Sequence, residues 1–134
     1  MSLGIKNLTR AVTPRLPYTA VVNRVFGKDS TLAGPSGRPE VSLTFVSQTR
    51  SRMLNRIYRG KDRPTNILTF PFAPSEGEIL ICLSTARAEA RRTRVSFSKY
   101  LQRLFIHGLL HLKGFVHGSR MEKLELWVEQ SLLD

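Results

Sequence analysis

The sequence predicts an α+β fold: one small domain, 1–134, with about four strands in a single mixed sheet and helices packed against it. Three observations carry this prediction. Segments with apolar residues at every second position interleave with segments that repeat at three and four. Glycine, proline or a capping serine stands at most of the boundaries between them. A chain of 134 residues is long enough to bury one substantial core and short for two.

Taken in order, Ser2 to Asn7 reads as a short edge strand. Pro14 and Pro17 lead into Tyr18, Val21, Val22, Val25 and Phe26, a helical stripe closed by Gly27. Residues 29–39 hold Gly34, Pro35, Gly37 and Pro39 and read as a loop. Val41, Leu43 and Phe45 alternate with polar residues, the pattern of a half-buried strand. Ser47 is placed to cap a helix carrying Met53, Leu54, Ile57 and Tyr58, and Gly60 stops it. Asn66 to Phe72 is apolar and β-prone, and Pro71 marks its end or puts it on an edge. Gly77 to Leu83 gives a further strand, after which Ser84 is expected to cap a short arginine-rich helix. A longer helix is expected from about Ser96 to Lys113. The last helix, about Ser119 to Leu132, presents Met121, Leu124, Trp127, Val128 and Leu132 to the core. No internal repeat or low-complexity segment interrupts this order.

The chain carries 21 Lys and Arg against 10 Asp and Glu, a formal charge of +11, with a pI near 10.9. Such an excess attracts polyanions. One basic segment holds Arg50, Arg52, Arg56, Arg59, Lys61 and Arg63 against Asp62. The other holds Arg87, Arg91, Arg92, Arg94, Lys99 and Arg103 against Glu89. Two solvated helix faces are the plain reading; a surface that tracks a phosphate backbone explains the arginine excess better. Neither segment has a broad apolar face to insert in a membrane, and Leu104 to Leu112 is too short to span one. The amino terminus lacks the apolar run of a secretory signal. Its first 28 residues lack acids, a weak likeness to a mitochondrial transit peptide, yet they pattern as strand and helix. The single cysteine, Cys82, suits a reducing compartment. A cytoplasmic location is expected, with the mitochondrion as the alternative.

All three histidines lie between residues 107 and 117, in HGLLHLKGFVH. His107 and His111 are four apart and leave one helix face together. Gly114 can end that helix in a left-handed cap, so that His117 returns to the same point. Three imidazoles meeting there can hold zinc and leave a fourth position open, the layout of a catalytic rather than a closed structural site. Chance clustering, with one histidine buried and two solvated, is the alternative. The offsets are similar to those of the metzincin zinc helix, H-E-x-x-H-x-x-G-x-x-H, which favours metal. That template places its general base directly after the first histidine, where this chain has Gly108. The ligand pattern is present and the usual peptidase base is not.

Three segments together resemble the YbeY family of endoribonucleases. The histidine segment is similar to H-G-x-L-H-L-x-G-Y-D-H. Residues 53–72, MLNRIYRGKDRPTNILTFPF, are similar to L-N-x-x-Y-R-x-x-x-x-P-T-D-V-L-S-F-P. GEILIC, residues 77–82, is similar to the family's G-D-I strand. The resemblance runs from near residue 3 to the end. It implies a zinc-dependent, single-strand-specific endoribonuclease of ribosomal RNA 3′-end maturation and ribosome quality control, associated with the ribosome. It also implies a scaffold whose zinc helix is like that of metalloproteases. By position, His107, His111 and His117 match the metal ligands, one Zn2+ per chain, and Arg59 matches the family's functionally important arginine. These four are the expected catalytic residues. Arg56, Arg59, Lys61, Arg63, Arg87, Arg91 and Arg92 are the expected RNA contacts. Three positions depart from the family's aspartates, namely Asn66, Glu78 and Val116. If any of them supports a bound imidazole, metal affinity is altered here.

Arg59 precedes Gly60 at a helix end, so a structural role toward the helix dipole competes with a functional one. Tyr58, Phe70 and Phe72 sit near the basic segment and can stack on bases, although Phe70 fits core packing better and Trp127 is expected in the core. Two other functions remain open. One is a noncatalytic RNA- or ribosome-binding zinc protein; the other is a zinc peptidase, which Gly108 disfavours.

Overall fold

The computed structural model describes residues 2–27, 40–73 and 76–133. The loop expected over 29–39 lies outside these residues. The described chain builds one four-stranded mixed sheet with five helices, as the periodicities predict.

Strand β1 (Leu3–Asn7) is followed by helix α1 (Tyr18–Phe26), strand β2 (Val41–Val46) and helix α2 (Gln48–Arg59). Strands β3 (Ile67–Ala73) and β4 (Glu76–Cys82) form an antiparallel pair. Helices α3 (Leu83–Arg92), α4 (Phe97–Leu112) and α5 (Ser119–Ser131) complete the chain. The sheet order is β1-β2-β4-β3, with β1, β2 and β4 parallel and β3 antiparallel at one edge. The edge position accommodates Pro71, where the register slips between Pro71 and Ala73.

Successive strand residues point to opposite faces, and both faces here are apolar. Val41, Leu43, Phe45, Ile79 and Ile81 face α1, α4 and α5 in the main core, around Phe105, Leu101 and Leu109 of α4. Val46, Leu68, Leu80 and Cys82 face the other way, into a smaller cluster completed by Leu54 of α2 and Phe70. Helix α4 thus lies against one face and α2 against the opposite one. Gly77 is required where β4 meets β3: a Cβ there would collide with the Phe70 carbonyl and come within 2.7 Å of Leu112 Cδ2.

The caps of α2 and α4 form as expected. Ser47 Oγ accepts from the Arg50 amide and Ser96 Oγ from the Lys99 amide, and Gly60 closes α2 in the left-handed region at φ +70°. Three expectations are corrected. Ser84 does not cap α3, because β4 runs directly into the helix at Leu83 and Ser84 lies inside it. Trp127 is not core but 58% exposed, since α5 buries only Met121 and Val128. The apolar stripe of α2 is largely exposed at Met53, Ile57 and Tyr58, with only Leu54 half-buried. The buried positions of α2 are Ser51 and Asn55. Ser51 Oγ donates to the Thr65 carbonyl at 2.7 Å and accepts from the Thr65 amide at 3.0 Å, and Asn55 Nδ2 donates to the Arg63 carbonyl at 2.9 Å. These two side chains hold the segment 61–66 against the helix.

Candidate metal centre

Helix α4 is the longest helix and the most buried, so its last turn is firmly placed. The chain leaves it through a Schellman turn. Gly114, at φ +105°, gives its amide to the His111 carbonyl, and the Phe115 amide reaches back to the Leu110 carbonyl, both at 3.0 Å. These are the two bonds that define the motif. The turn does two things for the histidines. It aims the Phe115 carbonyl at His111 Nδ1, 3.0 Å away. It also returns the chain so that His117 joins the other two, with one ring nitrogen of each imidazole within 4.8 Å of the others. The ring centroids of His107, His111 and His117 lie 4.5–5.0 Å apart. His107 and His111 are half-buried, and His117 is exposed.

The hydrogen bonds fix which nitrogens remain. A carbonyl oxygen only accepts, so His111 Nδ1 carries its hydrogen. His107 Nδ1 lies 2.6 Å from Glu125 Oε1, and an ionised carboxylate also only accepts. In the neutral form of each ring the bare lone pair is then on Nε2. Those two atoms face each other at 3.0 Å. Two lone pairs at that distance repel unless a proton or a metal ion stands between them. The spacing is near the roughly 3.3 Å that bonds of about 2.0–2.1 Å give around a tetrahedral zinc. Burial first, then the neighbouring His107, holds the His111 imidazole below its ordinary value. This disfavours a proton on its lone pair. The donor set and its tautomers thus fit a divalent metal.

At Gly108 the general base of the metzincin template would crowd the sheet, and Ile79 and Ile67 would have to shift to admit it. A Cβ there would lie 3.0 Å from Ile79 Cδ1 and 3.2 Å from Ile67 Cδ1, against the sheet.

None of the three altered aspartate positions supports an imidazole among the described contacts. Asn66 Nδ2 donates to the Tyr100 hydroxyl at 3.0 Å. Glu78 lies on the α2 face of the sheet, where its carboxylate is 3.4 Å from the Thr44 hydroxyl. Val116 is 78% exposed. The acid that does touch a histidine is Glu125, which sequence reasoning missed. Its signal was present: it sits among Met121, Leu124 and Val128 on the inner flank of α5, an acid inside an apolar stripe.

Arg59 is exposed at the end of α2, immediately before the segment that leads to β3, the strand packed against α4. Arg56, Lys61, Arg63 and Arg91 are exposed as well. Arg92 pairs with Glu89, and Arg87 lies 4.0 Å over the Phe97 ring. Helices α2 and α3, which carry parts of the two basic segments, adjoin. Tyr58 and Phe70 meet edge to face at 5.0 Å, and with Phe72 they line a groove on the α2 face.

Fold and site define a small α+β protein whose longest helix ends in a three-imidazole centre able to hold a metal ion. A family model described as Endoribonuclease YbeY matches residues 5–133. Endoribonuclease YbeY of Colwellia psychrerythraea is 37% identical over an alignment of 109 residues that covers 73% of this chain and 70% of that protein. The solution structure of a Thermotoga maritima protein has a TM-score of 0.62 at 25% identity, over 94% of this chain and 85% of that one. This chain belongs to the YbeY family of endoribonucleases.

Proposed function

We propose that this endoribonuclease is zinc-dependent and single-strand-specific, and that it acts in 3′-end maturation of small-subunit ribosomal RNA and in ribosome quality control. The observation that carries the metal reading is the convergence of three imidazoles, with one ring nitrogen of each within 4.8 Å of the others. Zinc held by His107, His111 and His117 would supply Lewis acidity that lets water ionise near neutral pH.

The chain's own residues do the rest. Glu125 and the Phe115 carbonyl hold two rings in the tautomer that binds metal. Arg59 can meet the charge that develops on a phosphodiester, since its guanidinium stays protonated and offers two parallel donors. Arg56, Lys61, Arg63, Arg87, Arg91 and Arg92 hold the strand through its phosphates. The ribosome is the partner in this reading. The cytoplasm is the compartment, consistent with the single buried thiol of Cys82; the mitochondrion is the alternative.

The test is a time course on labelled single-stranded and duplex RNA. Wild type should cut the single strand, bind about one zinc per chain, and lose both properties in His111→Ala. Arg59→Lys keeps the charge and loses the planar fork, so it should lower turnover more than binding. Zinc-loaded wild type that binds the strand and leaves it intact would refute the proposal.

A further inference from the structure

We infer that helix α5 belongs to the metal centre: Glu125 is a positioning residue that sets metal affinity, and metal in turn tightens the docking of α5. The inference rests on the metal reading above and adds a residue and a linkage to it.

Glu125 comes from a different helix than His107, 18 residues further along the chain, yet its Oε1 is 2.6 Å from His107 Nδ1. The bond decides which way the ring is wired. Without an acceptor at Nδ1 an imidazole is free to carry its hydrogen on Nε2, and a ring in that form cannot give Nε2 to a metal. Carboxylates behind metal-bound histidines act in this way, and their loss typically weakens binding about 10–100-fold. Of the described acids, Glu125 is the one the structure brings to a histidine.

The reverse half of the linkage follows from how α5 is held. It starts at Gly118, at φ +152°, without a side-chain cap. It buries only Met121 and Val128, while Leu126 and Trp127 stay exposed. Leu124 and Leu132 pack half-buried against the core, and the polar ties to α4 run through carboxylates: Glu125 to His107, and Glu129 to Arg103 at 3.2 Å and Lys99 at 4.0 Å. A terminal helix with two fully buried apolar side chains opens locally at less cost than the core helix α4 with its eight buried residues. If Glu125 favours the metal-bound form of His107, thermodynamic reciprocity requires that metal favour the docked helix by the same factor.

The experiment uses the full chain in three forms: wild type, Glu125→Gln, which keeps an acceptor without the charge, and Glu125→Met, which keeps the stem without an acceptor. Glu125 is part-exposed, so neither change empties the core. Zinc affinity is read by competition with a calibrated chelator. The tautomer of His107 is read in metal-free protein from the nitrogen chemical shifts of its ring. Amide exchange of α5 is read with and without zinc. Glu125→Met should bind zinc about 10–100-fold more weakly, show His107 hydrogen on Nε2, and lose the slowing of α5 exchange by zinc. Glu125→Gln should recover most of the affinity and the wild-type tautomer. A purely structural role for Glu125 would leave the tautomer unchanged. Zinc affinity of Glu125→Met within twofold of wild type, or an unchanged tautomer, overturns the inference. Wild type that takes up no zinc refutes the metal reading itself, and the tautomer in metal-free protein still decides whether Glu125 wires the ring.

Discussion

Gly114→Ala isolates the turn that assembles the three histidines. Gly114 sits at φ +105°, a region that side chains with a Cβ rarely occupy. A Cβ built there meets nothing within 4 Å, so the cost is conformational and not steric. For an L-residue forced into left-handed geometry that cost is about 1–2 kcal/mol. A 134-residue chain has an unfolding entropy of roughly 0.28 kcal/mol/K near 60 °C. The melting temperature of the metal-free protein should therefore fall by about 4–7 °C. Zinc affinity should fall as well, because relaxing Gly114 moves both the Phe115 carbonyl and His117. Gly114→Asn is the control: asparagine tolerates positive φ better than alanine and should lie between alanine and wild type. Calorimetry of metal-free protein and chelator competition supply the two readouts. Alanine and asparagine variants that both match wild type in melting and in zinc affinity would refute this account of the turn.

Three further outcomes are expected. Ser51→Ala removes the one hydroxyl that serves both the Thr65 amide and the Thr65 carbonyl, so it should cost about 1–3 kcal/mol in urea unfolding and raise amide exchange across 61–66. The folded state holds the His111 imidazole below its ordinary 6.5, so metal-free stability should be full above that value and fall as pH drops through it, where the unfolded chain takes the proton more readily; urea midpoints that rise in this window would contradict the sign, and His111→Ala should flatten the fall. Replacing Arg91 and Arg92 with alanine should weaken RNA binding across sequences and reduce the salt slope by about 0.7 for each phosphate of a single strand that is no longer neutralised, measured by anisotropy over a salt series; an unchanged slope means those side chains face away from the strand.

The element order was legible because it depends on periodicity and on punctuation. Ser47, Gly60 and Ser96 mark helix ends in the sequence and do so in the structure. The clustering of the histidines was legible because the offsets at 107, 111, 114 and 117 are local geometry. The face of α2 was not. Apolarity pointed to Met53, Ile57 and Tyr58, while the helix turns Ser51 and Asn55 inward to bond the 61–66 segment. Hydrogen-bond demand from the loop that follows the helix leaves no period in the sequence. Trp127 misled for a related reason: the apolar stripe on α5 is wider than the surface it buries. Glu125 was hidden because its partner is far along the chain, and a charge in an apolar stripe does not say what it meets.

The three imidazoles and the turn that gathers them occupy one short window of chain, 107–117. The entropy of closing a loop grows only slowly with its length and is small for a window this size. On the proposed metal reading, the unfolded chain would therefore retain some affinity for a metal through the same histidines. Ligand that binds both states stabilises the native one by less than its native affinity alone implies. Glu125 lies outside the window and reaches His107 only when α5 is docked. The share of metal affinity that folding alone confers is then the share that depends on tertiary structure. On the proposed metal reading, the melting shift produced by zinc would report how α5 packs more than how many histidines the chain contains.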